Sequence, residues 1–380
     1  MTDLLRTRPA ATPAMLGVFS DDTTITHALA FEAALARAQA AEGVIAPAVA
    51  QAIANACATL AVDPATLAEE AALAGTMAIP VVARLRGSLA AEPAAAVHKG
   101  ATSQDVADTV LMMQVRAGAA LLQADFDRAR AALHQLAVRY AKTPAIGRTL
   151  LQDALPVAFG LRIAHWVAGI DAAARRLSAD VAEYGRVQFG GAAGTRAGLN
   201  GTGAAIATRL AADLELLGGE PWHARRIGIA AIGSSVAIAI GALGKMARDL
   251  SLLSQNAVAE AREPVIAGRG GSSAMAHKRN PTGCQVTLSA AIRTPGLVAA
   301  ILGGLPQEEE RGLGGWQAEG PVVADLFLLA SGAAAAMADI AEGLDIDEAA
   351  IARNLHRAGI GTDIGESASL VDALMAPDEG

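Results

Sequence analysis

"IGIAAIGSSVAIAIGALG", Ile227 to Gly244, carries no charged side chain. Two folds compete for it. A membrane span needs about 20 predominantly apolar residues, and a helix buried inside a large bundle needs much the same composition. The residues that follow favour the second. "KMARDLSLLSQNAVAEARE" continues without proline, and Met246, Leu250, Leu253 and Val258 recur at helical spacing among polar neighbours. The expected element is one core helix over about 229–260, roughly 48 Å long at 1.5 Å per residue. Gly233, Gly241 and Gly244 are expected to let neighbouring helices approach closely. No membrane partner is expected.

The surrounding sequence has the same character. Ser20, Asp21 and Asp22 form a helix start and Gly43 a stop. Residues 103–140 run without proline, with Val106, Val110, Met113, Ala117, Ala120 and Ala124 along one face. Strand alternation is scarce. The fold class expected is all-α: a long-helix bundle over 103–322, a smaller helical N-terminal domain over 1–102 and a short helical C-terminal region over 323–380. Of the 380 residues, 53% are hydrophobic and only 3% aromatic, which suits helices packed through small side chains. A net charge of −8 argues against a nucleic-acid partner. Cys57 and Cys284 have no metal-type spacing, and two lone thiols fit a reducing compartment. "MTDLLRTRPAATPAM" has no apolar core after its charges, so no signal peptide is expected and a cytoplasmic setting is.

Three polar segments interrupt the helices. "VHKGATSQD", 97–105, fits a helix start, with Thr102 and Asp105 as a capping box. Capping does not explain why His98, Lys99 and Ser103 gather there, and a helix N-terminus suits carboxylates. "FGGAAGTRAGLNGTG", 189–203, follows no strand and precedes no GK[ST], so it reads as a mobile connection rather than a nucleotide loop. "GRGGSSAMAHKRNPTG", 268–283, sets two serines among glycines with cations close behind, the composition of a loop that closes over a negative substrate. A bare solvent loop is the alternative, but bland loops rarely carry this mixture, and the functional reading is preferred.

Within that last segment "GSSAMAHKRNP" resembles the signature loop GSSxMPxKxNP of the fumarase/aspartase superfamily, departing from it at Ala276, where proline is usual. The resemblance extends from about residue 15 to about 325. Its finer likeness is to the superfamily's cycloisomerase branch, carried by "HKGATSQDVADT", "ALGKMARDLSLL", "EPVIAGRGGSSAM" and "EEERGLGGWQAEGP". In "GRTLLQDALPVAFG", 147–160, Leu150 stands where fumarate-releasing lyases carry the histidine of T-H-x-Q. Leucine cannot move a proton. This argues against argininosuccinate lyase, adenylosuccinate lyase and fumarase.

The resemblance implies a long-helix homotetramer whose sites are shared between chains, and an intramolecular lyase acting on a small polycarboxylate. It gives Ser272 the part of proton donor, with Ser273 beside it. Lys278 and Asn280 suit the charge that develops on a carboxylate, and His98 is a further catalytic candidate. Thr102, Ser103 and Gln152 are neutral donors for substrate, and Arg279 and Arg311 are candidate cations. Arg279 is equally suited to a surface ion pair. Arg311 follows Glu308, Glu309 and Glu310, so a structural salt bridge competes with a substrate role. His277 reads as loop surface, and His223 in "PWHARR" has no assigned role. No metal cluster or dinucleotide fingerprint is present, so neither metal nor cofactor is expected. Two other classes stay open: a different lyase of the superfamily, such as an adenylosuccinate-lyase-like C–N lyase, and a non-catalytic helical assembly protein.

Overall fold

The computed structural model describes residues 4–275 and 277–376. Ala276, the departure from the signature loop, lies outside the described residues.

Five long helices form the bundle: Ser103–Arg139, Phe159–Tyr184, Ile227–Leu253, Thr282–Gly303 and Gly315–Glu342. Each packs on the next in chain order, and Gly315–Glu342 returns to Ser103–Arg139, closing the ring. The Ser103–Arg139 helix has 37 residues, about 56 Å at 1.5 Å per residue. The chain is thus mostly helical, as its pattern indicates. The charge-free segment forms the helix Ile227–Leu253, shorter at its end than the periodicity suggests. It ends at Leu253, and after a turn the chain forms the short strand Ala261–Arg262, which pairs with Asp345–Ile346.

Small residues do bring the helices together, at two of the three expected glycines. A Cβ on Gly233 would lie 2.6 Å from the Ile301 Cδ1, and one on Gly244 would lie 3.3 Å from the Ala291 Cβ. Gly241 has nothing within 4 Å, because it faces away from these neighbours. Three helices, Ile227–Leu253, Thr282–Gly303 and Gly315–Glu342, are long and apolar enough to cross a membrane by length and composition. The first and third bury 56% and 61% of their most apolar stretch within the chain, whereas the second buries 22%. Thr282–Gly303 therefore carries an apolar face outward, with Ile292 75% exposed.

A second core lies beside the bundle. It is built from the helices Asp21–Ala41, Pro47–Thr59 and Ala78–Gly87 around Phe31, Leu35, Ile53 and Leu85. It also takes Val106 and Val110 from the first bundle helix, Phe189 and Leu199 from the glycine-rich segment itself, and Ile206 and Leu210 from the helix that follows it. Ser20 caps the Asp21–Ala41 helix by accepting the Thr23 N–H.

Among the described residues the longer of two sheets is a hairpin that the helical patterning does not reveal. Strands Pro144–Thr149 and Gln152–Ala158 pair antiparallel, with Thr149 opposite Gln152. Leu150 and Leu151 form the two-residue turn, with φ of 51° and 65°. Both positive values match the type I′ turn whose twist suits a hairpin but which normally takes Asn-Gly. Two leucines are strained there, and Leu150 is 95% exposed.

Candidate active site

The helix start at 97–105 is held from below by buried polar groups. Asp105 is fully buried and accepts four hydrogen bonds. Its Oδ2 takes the N–H of Thr102 and of Gly191, each at 2.9 Å. Its Oδ1 takes the Gly190 N–H at 3.0 Å and the His223 Nε2 at 2.7 Å. The capping carboxylate thus reaches back to Thr102, as the sequence indicates, and in addition ties down the glycine-rich segment.

That segment is therefore not a mobile connection at its start. Residues 188–191 are buried, and Arg196 Nε donates to the Phe189 carbonyl. Glycine is required at 191: its φ is 71°, and a Cβ there would sit 2.8 Å from the Gly100 carbonyl oxygen. His223, with no role apparent in the sequence, belongs to this anchor. Behind it Arg226, 1% exposed, is clamped between Asp108 and Glu319 and lies against the Trp222 ring. Burial pushes the Glu319 carboxyl up from its ordinary range, against the pull of Arg226.

His98 sits at φ 61°, a left-handed conformation for a residue with a branched ring. Its Nδ1 lies 2.6 Å from Glu32 Oε1, and its side chain is 15% exposed. Ser103 is the first residue of its helix. Thr102 Oγ1 accepts a hydrogen bond from Arg311. Arg311 thus comes to the same point as Thr102, rather than pairing with the glutamates before it.

The signature loop is organised differently. Ser272 Oγ accepts the Met275 N–H at 3.1 Å. Asn280 Nδ2 donates to the Gly271 carbonyl at 3.0 Å, and its N–H reaches the Gly270 carbonyl at 2.9 Å. Asn280 thus folds the loop onto itself in this state. Ser273, His277, Lys278 and Arg279 are exposed. The loop's base is firmer: buried Glu263 accepts the N–H groups of Gly283 and Cys284 at 3.1 and 2.7 Å.

Gln152 is exposed at the hairpin tip. The hairpin is braced from its side by Arg148, which donates to both oxygens of Glu260 at 3.1 and 2.7 Å. Among the described residues, no hydrogen bond or ion pair within the chain joins 97–105, 147–153 and 268–280 to one another. The chain brings together His98, Thr102, Ser103 and Arg311, and leaves Gln152 and the Ser272–Asn280 loop as separate outposts. No group of three or more His, Cys, Asp or Glu side chains among the described residues forms a metal-type cluster.

A long-helix bundle that displays a Gly-Ser-Ser loop and a capped His-x-Gly-Ala-Thr-Ser turn defines a lyase of the fumarase/aspartase type. A family model described as lyase matches residues 7–296, and the chain belongs to that family. It is similar to 3-carboxy-cis,cis-muconate cycloisomerase of Bradyrhizobium diazoefficiens, with 46% identity over 90% of this chain and 77% of the relative. It is also similar to nitrosuccinate lyase of Streptomyces davaonensis, with 39% identity over 92% of this chain and 76% of the relative. The crystal structure of 3-carboxy-cis,cis-muconate lactonizing enzyme from Pseudomonas putida superposes with a TM-score of 0.87 at 39% identity, covering 93% of this chain and 79% of that one.

Proposed function

We propose that this lyase is a cytoplasmic 3-carboxy-cis,cis-muconate cycloisomerase, closing a tricarboxylate diene to 4-carboxymuconolactone in the β-ketoadipate route of protocatechuate breakdown. The observation that carries the reading is Leu150. At the tip of the hairpin, where a fumarate-releasing lyase presents its histidine, this chain presents an apolar turn beside Gln152. A lactonisation tolerates that change. Its nucleophile is a substrate carboxylate, already ionised, so no imidazole is needed to remove a proton.

The chemistry then requires one proton and stabilised charge. A carboxylate oxygen adds across a carbon–carbon double bond, and negative charge spreads from the neighbouring α-carbon onto its own carboxylate. Ser272 delivers the proton to that carbon once the loop closes, and solvent restores it. Lys278, and Asn280 after release from Gly271, stabilise the developing charge. Thr102, Ser103, Gln152, Ser273 and Arg311 hold the remaining carboxylates, and Arg279 adds local positive charge.

The site is assembled from several chains of a homotetramer. Two features of the single chain support this: its candidate segments stand apart, and the Thr282–Gly303 helix turns an apolar face outward. Ile238 and Ile292, 55% and 75% exposed on adjacent helices, belong to the surface that a second copy would cover.

The test is an ultraviolet assay of purified protein on a panel containing 3-carboxy-cis,cis-muconate, nitrosuccinate, adenylosuccinate and malate. Loss of the diene absorbance without release of fumarate is expected for the first compound alone. Preferential turnover of nitrosuccinate or of a succinyl-amine would replace this reading with another lyase of the family. A chain inert to the whole panel would favour a non-catalytic assembly protein.

A further inference from the structure

We propose that Glu32 is a positioning residue that sets the orientation and tautomer of His98. The proposal rests on the cycloisomerase reading for its rate measurements, and on geometry for the rest. Glu32 lies in the middle of the Asp21–Ala41 helix, between Phe31 and Ala33, and is 2% exposed. A carboxylate at such a depth is costly unless its oxygens are satisfied. One oxygen, Oε1, is 2.6 Å from His98 Nδ1, and the other, Oε2, has no hydrogen-bond partner.

The same helix face makes a second contact with the turn. Gln39, seven positions further along, donates from Nε2 to the Lys99 carbonyl at 2.5 Å. From another helix, Arg86 donates to the Val97 carbonyl at 3.0 Å. Three side chains therefore hold consecutive residues 97–99, and the middle one is His98 in its strained backbone conformation. Strain of this kind costs on the order of 1–3 kcal/mol and persists only where the surroundings over-determine it. What the cradle secures is the ring. With Nδ1–H donated to Glu32, Nε2 is the nitrogen left for substrate, and the carboxylate stabilises the ring whenever it carries positive charge. Nε2 accepts a hydrogen bond when the ring carries only the Nδ1 proton, and donates to a substrate carboxylate when the ring carries both protons.

The experiment is a double-mutant cycle with Glu32→Ala and His98→Asn, with kcat and KM on 3-carboxy-cis,cis-muconate. Asparagine tolerates the left-handed backbone. Glu32→Ala is expected to lower kcat at least ~10-fold in the otherwise native chain, as for misplacement of a group that must be aligned. In the His98→Asn background it is expected to have no further effect. A merely structural Glu32 would lower activity equally in both backgrounds, and that result overturns the proposal. Glu32→Gln, whose amide oxygen can still accept from Nδ1, is expected to restore part of the rate if Glu32→Ala proves poorly folded. A wild-type chain inert to the diene would reject the cycloisomerase reading. The crystal structure of Glu32→Ala, or of Glu32→Gln if that alone folds, then decides. A His98 ring turned away in the first, or kept in place by the amide in the second, supports the proposal. An unmoved ring in the first, or a displaced ring in the second, overturns it.

Discussion

The turn at 97–102 and the loop at 268–280 carry two of the candidate catalytic groups, His98 and Ser272, and they are built on opposite principles. The turn is strained and over-determined. Glu32, Gln39, Arg86 and Asp105, side chains from three helices, hold its backbone and its ring. The loop is held mostly by itself, through Ser272, Asn280 and two glycine carbonyls, with an outside tie near its start from Arg269 to Asp339. The first is prepared before substrate arrives and is fastened to the small helical core. In the proposed mechanism the second must change its hydrogen bonds to act, since Asn280 donates to Gly271 and Ser272 accepts from Met275 within the loop. Substitutions in the two regions should therefore fail in different ways: beneath the turn they should cost stability, with turnover lost as well at Glu32, and in the loop they should cost turnover alone.

The largest effect is expected at Asp105. Asp105→Ala removes the acceptor of three backbone N–H groups and leaves His223 buried without its partner. Breaking a buried pair of this kind costs about 3–5 kcal/mol, readable as a drop in the denaturant midpoint. A loss below ~1 kcal/mol would mean that the glycine-rich segment is tied down by something other than this carboxylate.

Ser272→Ala should show the converse. Turnover is expected to fall by at least ~10², the lower range for losing a positioned acid, while the melting temperature and substrate binding stay near native values. Near-normal turnover would transfer the proton-donor role to Ser273 or His98. A substantial loss of stability would erase the distinction between the two regions.

The hairpin tip gives the smallest effect. Leu150→Asn with Leu151→Gly installs the residues that a type I′ turn prefers and should relieve strain on the order of 1 kcal/mol, seen as a higher melting temperature. A fall in stability instead would mean that the two leucines are packed against another chain. Leu150→His alone should not raise the lactonisation rate, because that step asks for no imidazole there.

These contrasts also mark what the sequence could and could not disclose. The long helices were legible because apolar residues recur at the helical period over many turns. The Ser103 start was legible because Thr102 and Asp105 stand at capping spacing. The signature loop was legible because its polar, glycine-flanked composition has no use inside a bundle. The hairpin was not, because its turn uses two leucines where Asn-Gly would have announced it. Nor were His223 and Glu32. Each acts through a partner more than 60 positions away, and local periodicity carries no record of such pairs. One sign was available: Ala28, Glu32, Leu35 and Gln39 share a face of an alanine-rich helix, so an acid and an amide sit on its buried stripe. The fate of Gly241 was equally hidden, since composition permits close approach on any face and only packing chooses one.

In the proposed enzyme a prepared turn and a closing loop from different chains make one site. Mixed oligomers test it most directly. Ser272→Ala and His98→Asn proteins are each expected to be nearly inactive. Unfolded together in equal amounts, refolded and confirmed by mass as mixed tetramers, they should recover up to about a quarter of the native rate, because random assembly of shared sites leaves some with neither lesion. Mixed tetramers no more active than the separate variants would contradict the claim and place His98 and Ser272 of each site on the same chain.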